Sequence, residues 1–388
     1  MSDVKIFASI IDDATKQQIQ ELSECEAYKD CTIRAMPDCH VGKGCTIGSV
    51  IKYEDKVVPN TVSVDISCGM AVAELGKIDI NLEKLDDYIR KYIPSGMNVR
   101  EERVCALDNT LIANVSPWKY IECSLGTLGG GNHFIEVDVD DENNKYLVIH
   151  SGSRNLGKQV CEYWQNKAIA NLTDDSEVRK ELIDRLKAEG RTKDIQAELQ
   201  KIKKPKINND LAYLEGKDLE DYLHDMKYCQ WFANKNRVIM AAGIIHHLFG
   251  MKETRLTAFT TLHNYIDIPN KIIRKGAISA QKGEKVLIPM NMRDGSLICI
   301  GKGNPDWLCS APHGAGRIMS RKQAMENLKL EDFQNSMEGI YTTSVCEETI
   351  DEAPMVYKPY EQIMKDIEPT VEILKVIKPI YNFKAKNA

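Results

Sequence analysis

The chain lacks the sequence signals of membrane insertion and of export. It contains no run of about eighteen apolar residues, so we expect no membrane-spanning helix and no membrane contact. It does not open with a basic and apolar leader that ends in small residues, so we expect no secretion. Twelve cysteines without an export signal are typical of reduced thiols rather than disulfides. These absences predict a cytoplasmic protein.

The chain also lacks an excess of positive charge. Its net charge is −6, which does not indicate a nucleic-acid binder and does not exclude one, because a groove needs only a local basic cluster. Such a cluster occurs in the last third, and an ordinary solvated surface is the alternative interpretation. Its members are Arg274, Lys275, Lys282, Lys285, Lys302, Arg317, Arg321 and Lys322.

Internal repeats, low-complexity tracts and an evident linker are absent as well. Residues 158–250 have helical apolar spacing, with a charged and exposed hairpin at 177–206 and a buried helix at 231–251. The chemically interesting histidines occur on both sides of this segment. We therefore predict one α+β domain over residues 1–388 with a helical insertion at 158–250. The predicted strands are 46–51, 61–64, 70–73, 134–137, 146–149, 286–288 and 297–300.

Histidine is concentrated in unusual places. Five of the eight histidines lie in short, mostly glycine-rich segments, each beside another polar residue that can bind metal or phosphate. Histidines that serve packing fall mostly on helix and strand faces. The pattern predicts one polynuclear metal site built from distant loops, with a reactive histidine nearby. The segments are Asp38-Cys39-His40, Asn132-His133-Phe134, His150-Ser151-Gly152-Ser153-Arg154, His263-Asn264 and Pro312-His313-Gly314-Ala315-Gly316-Arg317.

A carboxylate and a thiol stand three residues apart in a sixth segment, at Asp65 and Cys68. A thiolate can bridge two divalent ions, and the carboxylate can complete one of them. Cysteine, imidazole and carboxylate suit zinc, manganese or iron(II), so ligand type alone does not name the metal. Taken alone, the pair also fits a buried cysteine and a turn aspartate. Together with the histidine segments, the metal interpretation is favoured.

Strand ends carry His133, His150 and His263, where ligands have rigid support. The segment after His150 offers hydroxyl, backbone and guanidinium donors for a phosphate. The glycines before His133 are a weak phosphate-loop signal, because no Walker motif follows. As a lone dipeptide, His263-Asn264 would more often be structural.

The loop around His313 is different in kind. Pro312 and Gly314 hold this histidine in a tight turn, and Arg317 follows four residues later. A neutral imidazole beside guanidinium groups and metal is suited to attack phosphorus, because its neighbours lower its pKa and stabilise the charge that develops. We predict that His313 is a nucleophile.

Together these blocks resemble the RtcB-type RNA ligases, in the right order from about residue 30 to Lys384. The resemblance implies an α+β fold with mixed β-sheets around a metal cleft and two Mn²⁺ ions per subunit. It implies GTP-dependent joining of RNA 3′-phosphate or 2′,3′-cyclic phosphate ends to 5′-hydroxyl ends through a guanylylated histidine, in tRNA splicing or RNA repair. The blocks are Met36–Gly44, Asp65–Gly69, Gly131–Glu136, His150–Arg154, Arg274–Ala277 and His313–Arg317.

The resemblance also implies roles for individual residues. Cys68 would bridge the metals, with His133 and His150 on one ion and Asp65 and His263 on the other. His313 would carry the guanylate, with Arg317 and Asp65 also catalytic. The residues expected at the nucleotide are Asn132, Phe134, Glu136, Asn264, Pro289, Ser296, Ala315, Gly316, Tyr357 and Lys384. Those expected at RNA are Arg154, Arg274 and Lys275, and an archease-type activator protein is an expected partner.

The sequence departs from the family pattern at three places. Ser67 and Asn155 stand where glycine is usual, and the nucleotide loop differs over residues 289–296. The altered loop would place Arg293 and Asp294 near the expected phosphates, which leaves open an enzyme that only caps 3′-phosphates on RNA or DNA.

Other function classes use part of the same residues. A dinuclear metal phosphohydrolase needs the same ligands but leaves the His313 loop unexplained, since it activates water. A non-catalytic nucleic-acid sensor has no use for a bridging thiolate. Ligases that activate a 5′-phosphate normally use a Lys-x-Asp-Gly motif, which is absent from the sequence.

Overall fold

The computed structural model describes residues 2–202, 205–250 and 258–385. Within this part, two large sheets and two small ones are combined with helices, as the α+β prediction required. None of the described helices is both long and apolar enough to cross a membrane. The helices are α1 (Asp13–Glu24), α2 (Leu82–Tyr92), α3 (Trp118–Cys123), α4 (Arg154–Leu172), α5 (Ser176–Ala188), α6 (Ile195–Lys201), α7 (Gly216–Phe249), α8 (Arg321–Asn327), α9 (Leu330–Ser336) and α10 (Tyr360–Ile367).

The larger sheet has eight strands, and it carries the metal-site candidates. Its order along one path is β13-β14-β17-β6-β7-β5-β9, with β16 beside β17. The strands are β5 (Gly69–Gly76), β6 (Phe134–Val139), β7 (Lys145–Ser151), β9 (Ala258–Leu262), β13 (Lys285–Asn291), β14 (Gly295–Gly301), β16 (Tyr341–Thr342) and β17 (Val371–Lys384).

The other strands hold the segments that complete the site. A five-stranded sheet has the order β1-β2-β3-β11-β10, and two strand pairs, β12-β15 and β4-β8, stand apart from it. The strands are β1 (Asp3–Ile6), β2 (Thr32–His40), β3 (Ile47–Lys52), β4 (Lys56–Val57), β8 (Leu214–Glu215), β10 (Asn264–Asp267), β11 (Ile272–Lys275), β12 (Ala277–Ser279) and β15 (Ser310–Pro312).

The central strands β6 and β7 of the eight-stranded sheet are buried on both faces. Alternate residues of β6 and β7 point to opposite sides, as the two-residue period of a strand requires. On the back face, Ile135 and Ile149 pack with Met240 of α7. On the front face, Phe134 and Val148 pack with residues of β13 and β14. A helix therefore supports the sheet from behind, and the cleft opens on the other side.

Most of the predicted elements are confirmed, with one error. The strands predicted at 46–51, 70–73, 134–137, 146–149, 286–288 and 297–300 correspond to β3, β5, β6, β7, β13 and β14. The strand predicted at 61–64 is wrong: Pro59–Thr61 form a 3-10 turn, and Ser63 has φ of 99°. Val62 is fully buried without strand pairing, so its hydrophobicity reflects packing rather than a ladder.

The helical segment begins earlier than predicted, at Arg154. Its charged hairpin is confirmed, because α5 buries only Leu186 and α6 buries no residue. The predicted buried helix is the second half of α7, and Met251 lies outside the described residues. Because α4 and α7 contribute to the central hydrophobic core, this segment is not simply an appendage. Whether it is an insertion within a single domain stays a prediction.

Candidate metal and nucleotide site

Antiparallel pairing brings four predicted metal ligands to one edge of the sheet. Phe134 at the start of β6 pairs with His150 near the end of β7, and His150 also pairs with Met70 near the start of β5. Gly69 pairs with Leu262 at the end of β9. Cys68, His133 and His263 each stand next to one of these paired ends, so segments far apart in the chain meet there. Strand pairing alone therefore brings these ligand-bearing segments together.

The side chains form a compact cluster around the Cys68 sulfur. Cys68 Sγ lies 3.3 Å from His133 Nε2 and 3.1 Å from His150 Nε2. The same His133 nitrogen lies 2.9 Å from Asp65 Oδ2, and His150 Nε2 lies 3.2 Å from His263 Nε2. One donor atom each from Cys68, His133 and His150 fall within 4.8 Å of one another.

The tautomers of the two central histidines follow from their other nitrogens. His133 Nδ1 lies 2.8 Å from the Leu128 carbonyl oxygen, and His150 Nδ1 lies 3.0 Å from the Asn132 carbonyl oxygen. A carbonyl can only accept, so each Nδ1 carries a hydrogen and each Nε2 is the ring nitrogen that points into the cluster. Burial lowers the pKa of His150 and of His263, which favours their neutral forms.

This donor set fits a divalent cation. His150 Nε2 lies 3.1 Å from the Cys68 sulfur and 3.2 Å from His263 Nε2, so three atoms that can bind a metal converge there. His263 Nδ1 is buried without a hydrogen-bond partner among the described residues. Burial also raises the pKa of the Cys68 thiol, so ionising it requires a positive charge nearby.

The closest contacts pair the ligands differently from the expected division. His133 and His150 were expected on one ion, with Asp65 and His263 on the other. The short contacts instead join Asp65 to His133 and His150 to His263, on the two sides of Cys68. The chain order of the ligands carries no information about which of them face each other.

His313 follows β15 and is oriented by a carboxylate on β2. Asp38 Oδ2 lies 2.6 Å from His313 Nδ1 and accepts the His313 backbone N–H at 3.2 Å. Asp38 is fully buried, and the ring of His313 lies 4.9 Å from the ring of His263. Gly316 must be glycine here, because its φ is +74° and an added Cβ would lie 2.3 Å from the Asp38 carbonyl oxygen. The carboxylate fixes Nδ1 as a donor and leaves Nε2 without the hydrogen, as the prediction that His313 is a nucleophile requires.

A cleft of about 220 Å³ connects His150 with His313 and extends over β6 and β13. Most residues expected at the nucleotide line it: Asn132, Phe134, Glu136, Pro289, Ala315, Gly316, Tyr357 and Lys384. Asn264 and Ser296 do not. The Asn264 side chain accepts the Gly276 backbone N–H at 2.9 Å, and Ser296 is fully buried.

One carboxylate gathers the basic and phenolic groups at one wall of this cleft. Glu352 accepts hydrogen bonds from Lys384 at 2.8 Å, Tyr357 at 2.7 Å and Arg317 at 3.3 Å, and Arg321 lies 3.1 Å from it. Burial would raise the pKa of Glu352, but the cations outweigh it and lower the pKa to about 2. Glu352 is therefore an anion that positions Lys384 and Tyr357.

The three residues expected at RNA lie in different settings. Arg274 is fully buried and donates to Ser310 and Tyr265, while Lys275 donates to the backbone oxygens of Lys43 and Asn60. Both cations donate hydrogen bonds to oxygens inside the protein, so the structure does not favour Arg274 or Lys275 as an RNA contact. Arg154 is half-buried and donates to Thr127 and to the Gly96 carbonyl oxygen.

The divergent nucleotide loop is the turn between β13 and β14. Arg293 and Asp294 form an ion pair with each other at 2.8 Å, and Asn291 braces Asp294 at 2.7 Å. Neither charged residue lines the cleft, whereas Met290 and Met292 do. The structure therefore does not favour the expectation that Arg293 and Asp294 approach the phosphates, which stays a prediction. Neighbouring charges in this tight turn satisfy each other.

Several residues of the site had no assigned role from the sequence. Asp38 belongs to a noted segment, but only the fold shows that it contacts His313. A role for Glu352 could not be predicted from the sequence, because it is one of four acidic residues between positions 347 and 352. Asn236 and Arg237 could have been noticed in the sequence, because these two polar residues interrupt the apolar face of a helix. The helix is buried at that point.

Comparison with known proteins gives a consistent result. The family model described as tRNA-splicing ligase RtcB matches residues 18–119 and 113–385. The RNA-splicing ligase RtcB of Escherichia coli K12 is 30% identical, over 90% of this chain and 88% of that protein. The tRNA-splicing ligases RtcB of Archaeoglobus fulgidus and Pyrobaculum aerophilum are 28% and 27% identical, over 88% and 85% of this chain and 84% and 82% of theirs.

Proposed function

This chain belongs to the RtcB family of RNA ligases, which join 3′-phosphate to 5′-hydroxyl ends in tRNA splicing and RNA repair, and from that premise we propose how its own residues perform the reaction. The observation that carries the proposal is the Asp38–His313 pair, whose histidine lines the same cleft as His150 of the Cys/His cluster. A hydrolase that activates water would need the cluster but not a histidine oriented in this way.

In the first step, His313 Nε2 attacks the α-phosphorus of GTP, and pyrophosphate leaves. The Asp38 carboxylate holds the Nδ1 hydrogen throughout, so the ring presents its lone pair and the positive charge on the guanylylated ring is balanced. Phe134 and Tyr357 offer aromatic surfaces to the guanosine, and Glu136 and Lys384 offer polar groups. Arg317 lies four residues after His313 and supplies positive charge at this wall of the cleft.

In the second step, a 3′-phosphate oxygen of the RNA takes the guanylate from His313. The third step is attack by the 5′-hydroxyl oxygen on the RNA phosphorus, with GMP as the leaving group and loss of the hydroxyl proton. A 2′,3′-cyclic phosphate must first be opened by water to give the 3′-phosphate. We keep Arg154 as the proposed RNA contact, because it is half-buried next to the Asp65 side of the cluster.

We assign two divalent ions, proposed to be Mn²⁺, to the cluster. Asp65, Cys68 and His133 would hold one, and Cys68, His150 and His263 would hold the other, because the shortest contacts pair the ligands in this way. Bound divalent ions supply Lewis-acid stabilisation to phosphoryl oxygens. Two ions predict metal–sulfur distances of roughly 2.3–2.6 Å, as in thiolate sites generally.

Labelling with GTP tests the nucleophile. Purified protein incubated with Mn²⁺ and α-labelled GTP should acquire covalent label, and His313→Ala should abolish it while metal content stays near normal. His246→Ala is the matched control, since that histidine is exposed on α7. The bond should be acid-labile and base-stable, as a phosphoramidate is. Label that persists in His313→Ala would show that another residue is the nucleophile.

A second experiment separates ligation from capping. RNA labelled in its 3′-phosphate is offered with a 5′-hydroxyl partner, and the product is digested to locate the label. We expect the junction phosphate to come from the 3′ end. Accumulation of 3′-guanylylated ends without joining, on RNA or DNA, would instead favour an end-capping enzyme. The same assay with and without an archease-type protein tests the proposed activator.

A further inference from the structure

Two consecutive residues of α7, Asn236 and Arg237, reach the metal site from behind the sheet. Helix α7 packs on the back face of β5 and β7, the face opposite the cleft. Both side chains are fully buried, at 0% exposure. Burying a guanidinium cation and an amide costs free energy unless both are hydrogen-bonded. Their hydrogen-bond partners therefore show what the two side chains hold in place.

Asn236 joins two of the segments that carry metal ligands. Its Oδ1 accepts the backbone N–H groups of Gly126 and Thr127 at 2.7 and 3.0 Å. Its Nδ2 donates to the Thr127 carbonyl oxygen, the Ser151 hydroxyl and the Gly152 carbonyl oxygen at 3.1, 3.1 and 3.2 Å. The first segment leads into Leu128, whose carbonyl orients His133, and the second directly follows His150.

Arg237 joins the third ligand segment to the second. Its Nη1 donates to the carbonyl oxygens of Ser67 and Ser151, each at 2.8 Å. Ser67 precedes Cys68 and Ser151 follows His150, so one nitrogen fixes both ligand-bearing backbones. Nε and Nη2 of Arg237 have no hydrogen-bond partner among the described residues. Burial lowers the pKa of Arg237 to about 10, with Cys68 and Asp65 acting against it, so the side chain is still charged at neutral pH.

We propose that Asn236 and Arg237 are positioning residues of the metal centre: together they fasten the segments that carry Cys68, His133 and His150 into the geometry that binds the ions. This rests on the metal site of the proposed function. Neither side chain contacts a ligand atom through a described hydrogen bond, so both act on the ligands through the backbone. Helix α7 is thereby an integral part of the centre and not only a support for the sheet.

The charge of Arg237 works against this role and makes the proposal testable. A guanidinium close to two divalent ions repels them, whereas the hydrogen bonds that it makes preorganise their ligands. Groups that orient metal ligands typically contribute 10–100-fold in metal affinity. We expect preorganisation to exceed repulsion, because the thiolate and the Asp65 carboxylate already supply two negative charges to offset the guanidinium.

The experiment is a titration of metal-free protein with Co²⁺. The thiolate-to-cobalt absorption band reports the Cys68–metal bond directly, and elemental analysis gives the stoichiometry, so no catalytic assay is needed. The variants are Arg237→Met, Arg237→Lys and Asn236→Ala, with Lys227→Met as the control because Lys227 is exposed on the same helix. Circular dichroism and thermal unfolding in chelator show which variants fold.

We expect about 10–100-fold weaker Co²⁺ binding for Arg237→Met and for Asn236→Ala. Arg237→Lys keeps the charge but can span the two carbonyls less well, so it should fall between wild type and Arg237→Met. If Arg237→Met does not fold, Arg237→Lys and Asn236→Ala decide the matter. Binding by the folded variants as tight as wild type, or tighter, would overturn the proposal while the metal site stands. A wild-type protein without the band would overturn the metal site itself.

Discussion

At the scale of single residues, His313 depends on a hydrogen bond to a carboxylate that comes 275 residues earlier in the chain. Because the Asp38 carboxylate can only accept, it selects the tautomer that leaves Nε2 without a hydrogen, as the proposed nucleophile requires. An asparagine at this position has the same shape but would allow the amide to donate, which favours the wrong tautomer. A single atom, Asp38 Oδ2, therefore contacts both the ring and the backbone N–H of His313 and sets the orientation of the ring.

We predict that Asp38→Asn lowers the rate of GTP-dependent labelling by about 100-fold or more, the scale expected when a general base or its orienting partner is lost. Metal content should be unchanged, since Asp38 does not contact the Cys/His cluster. Single-turnover labelling measures the effect. A rate within a few-fold of wild type would exclude this role for Asp38.

Ser67 is a second residue with a specific consequence. Its φ is 58°, in the left-handed region where a non-glycine residue is strained, and its buried hydroxyl has no partner among the described residues. We predict that Ser67→Gly raises the free energy of unfolding by about 1 kcal/mol, as strain relief exceeds the added backbone entropy of glycine. Thermal unfolding checks it. Ser49→Gly, in the ordinary strand β3, should lower stability instead.

How much the sequence reveals differs from residue to residue. Cys68, His133, His150 and His313 were predicted because rare residue types stand at turns, where packing does not require them. Asp38 and Glu352 were not assigned, because a single carboxylate looks the same whether it faces water or an imidazole. Arg274 and Lys275 stay predicted RNA contacts that the structure does not favour: the sequence gives their charge, and only the fold shows that both donate hydrogen bonds inside the protein.

At the scale of elements, strand β6 has two acidic residues, Glu136 and Asp138, that follow Phe134 on its front face. Glu136 and Asp138 are both buried, and both oxygens of Asp138 lack a described hydrogen-bond partner. Burial, with Glu136 nearby, raises the pKa of Asp138 well above its usual range. The folded chain therefore keeps a proton on Asp138 that the unfolded chain loses, and this group costs stability as pH rises above about 4.

We predict that Asp138→Asn is more stable than wild type at neutral pH, by on the order of 1–3 kcal/mol. The difference should shrink as pH falls and vanish below about pH 4, where the unfolded chain also protonates Asp138. Urea unfolding at several pH values measures it, with Asp141→Asn as an exposed control on the same hairpin. A constant difference at every pH would mean that Asp138 does not titrate in this way.

Strand β17 ends at the nucleotide cleft. Lys384 donates to Glu352 at 2.8 Å, and its ammonium lies 5.7 Å from the centre of the Phe134 ring. We predict that Lys384→Met raises the GTP concentration needed for half-maximal labelling by about 10–100-fold, the value of a charge-assisted hydrogen bond. Lys378→Met is the control, because Lys378 is exposed on the same strand. Truncation after Phe383 with unchanged labelling would remove Lys384 from the nucleotide site.

Elements could be predicted where periodicity is strong and unopposed. Strands β6, β7, β13 and β14 are each rich in Val, Ile or Leu between clear breaks. The run at 61–64 has the same composition, yet Pro59 and the positive φ of Ser63 turn it into a loop. The apolar residues are buried both in these strands and in the 61–64 segment. The backbone conformation decides whether a buried segment forms a strand or a loop.

At the scale of the whole molecule, the Cys/His cluster brings together segments that are far apart in sequence. Residues near 65–68, 133, 150 and 263 each contribute a ligand candidate. Ions bound only by the folded state stabilise it according to their concentration and affinity, by about 2.7 kcal/mol at a hundred times Kd. The order of strands in the sheet, which brings these segments together, could not be predicted from the sequence. Adjacent strands are far apart along the chain: β6 ends at Val139, and its neighbour β17 begins at Val371.

We predict that chelation of metal lowers the thermal unfolding temperature and that added Mn²⁺ restores it. A Cys68→Ser variant should respond much less, because the atom common to both proposed ions is altered. Differential scanning calorimetry with and without chelator measures both proteins. Equal unfolding temperatures for wild type in chelator and in Mn²⁺ would show that the ions contribute nothing to the fold.

The position of β17 within the sheet also bears on biosynthesis. The ribosome makes residues 371–384 after β6 and β14, yet β17 lies between those two strands and pairs with both. During translation the pairing that β17 provides between β6 and β14 therefore forms only after this segment has emerged from the exit tunnel. A nascent chain held on the ribosome before that moment still lacks Lys384, which lines the cleft.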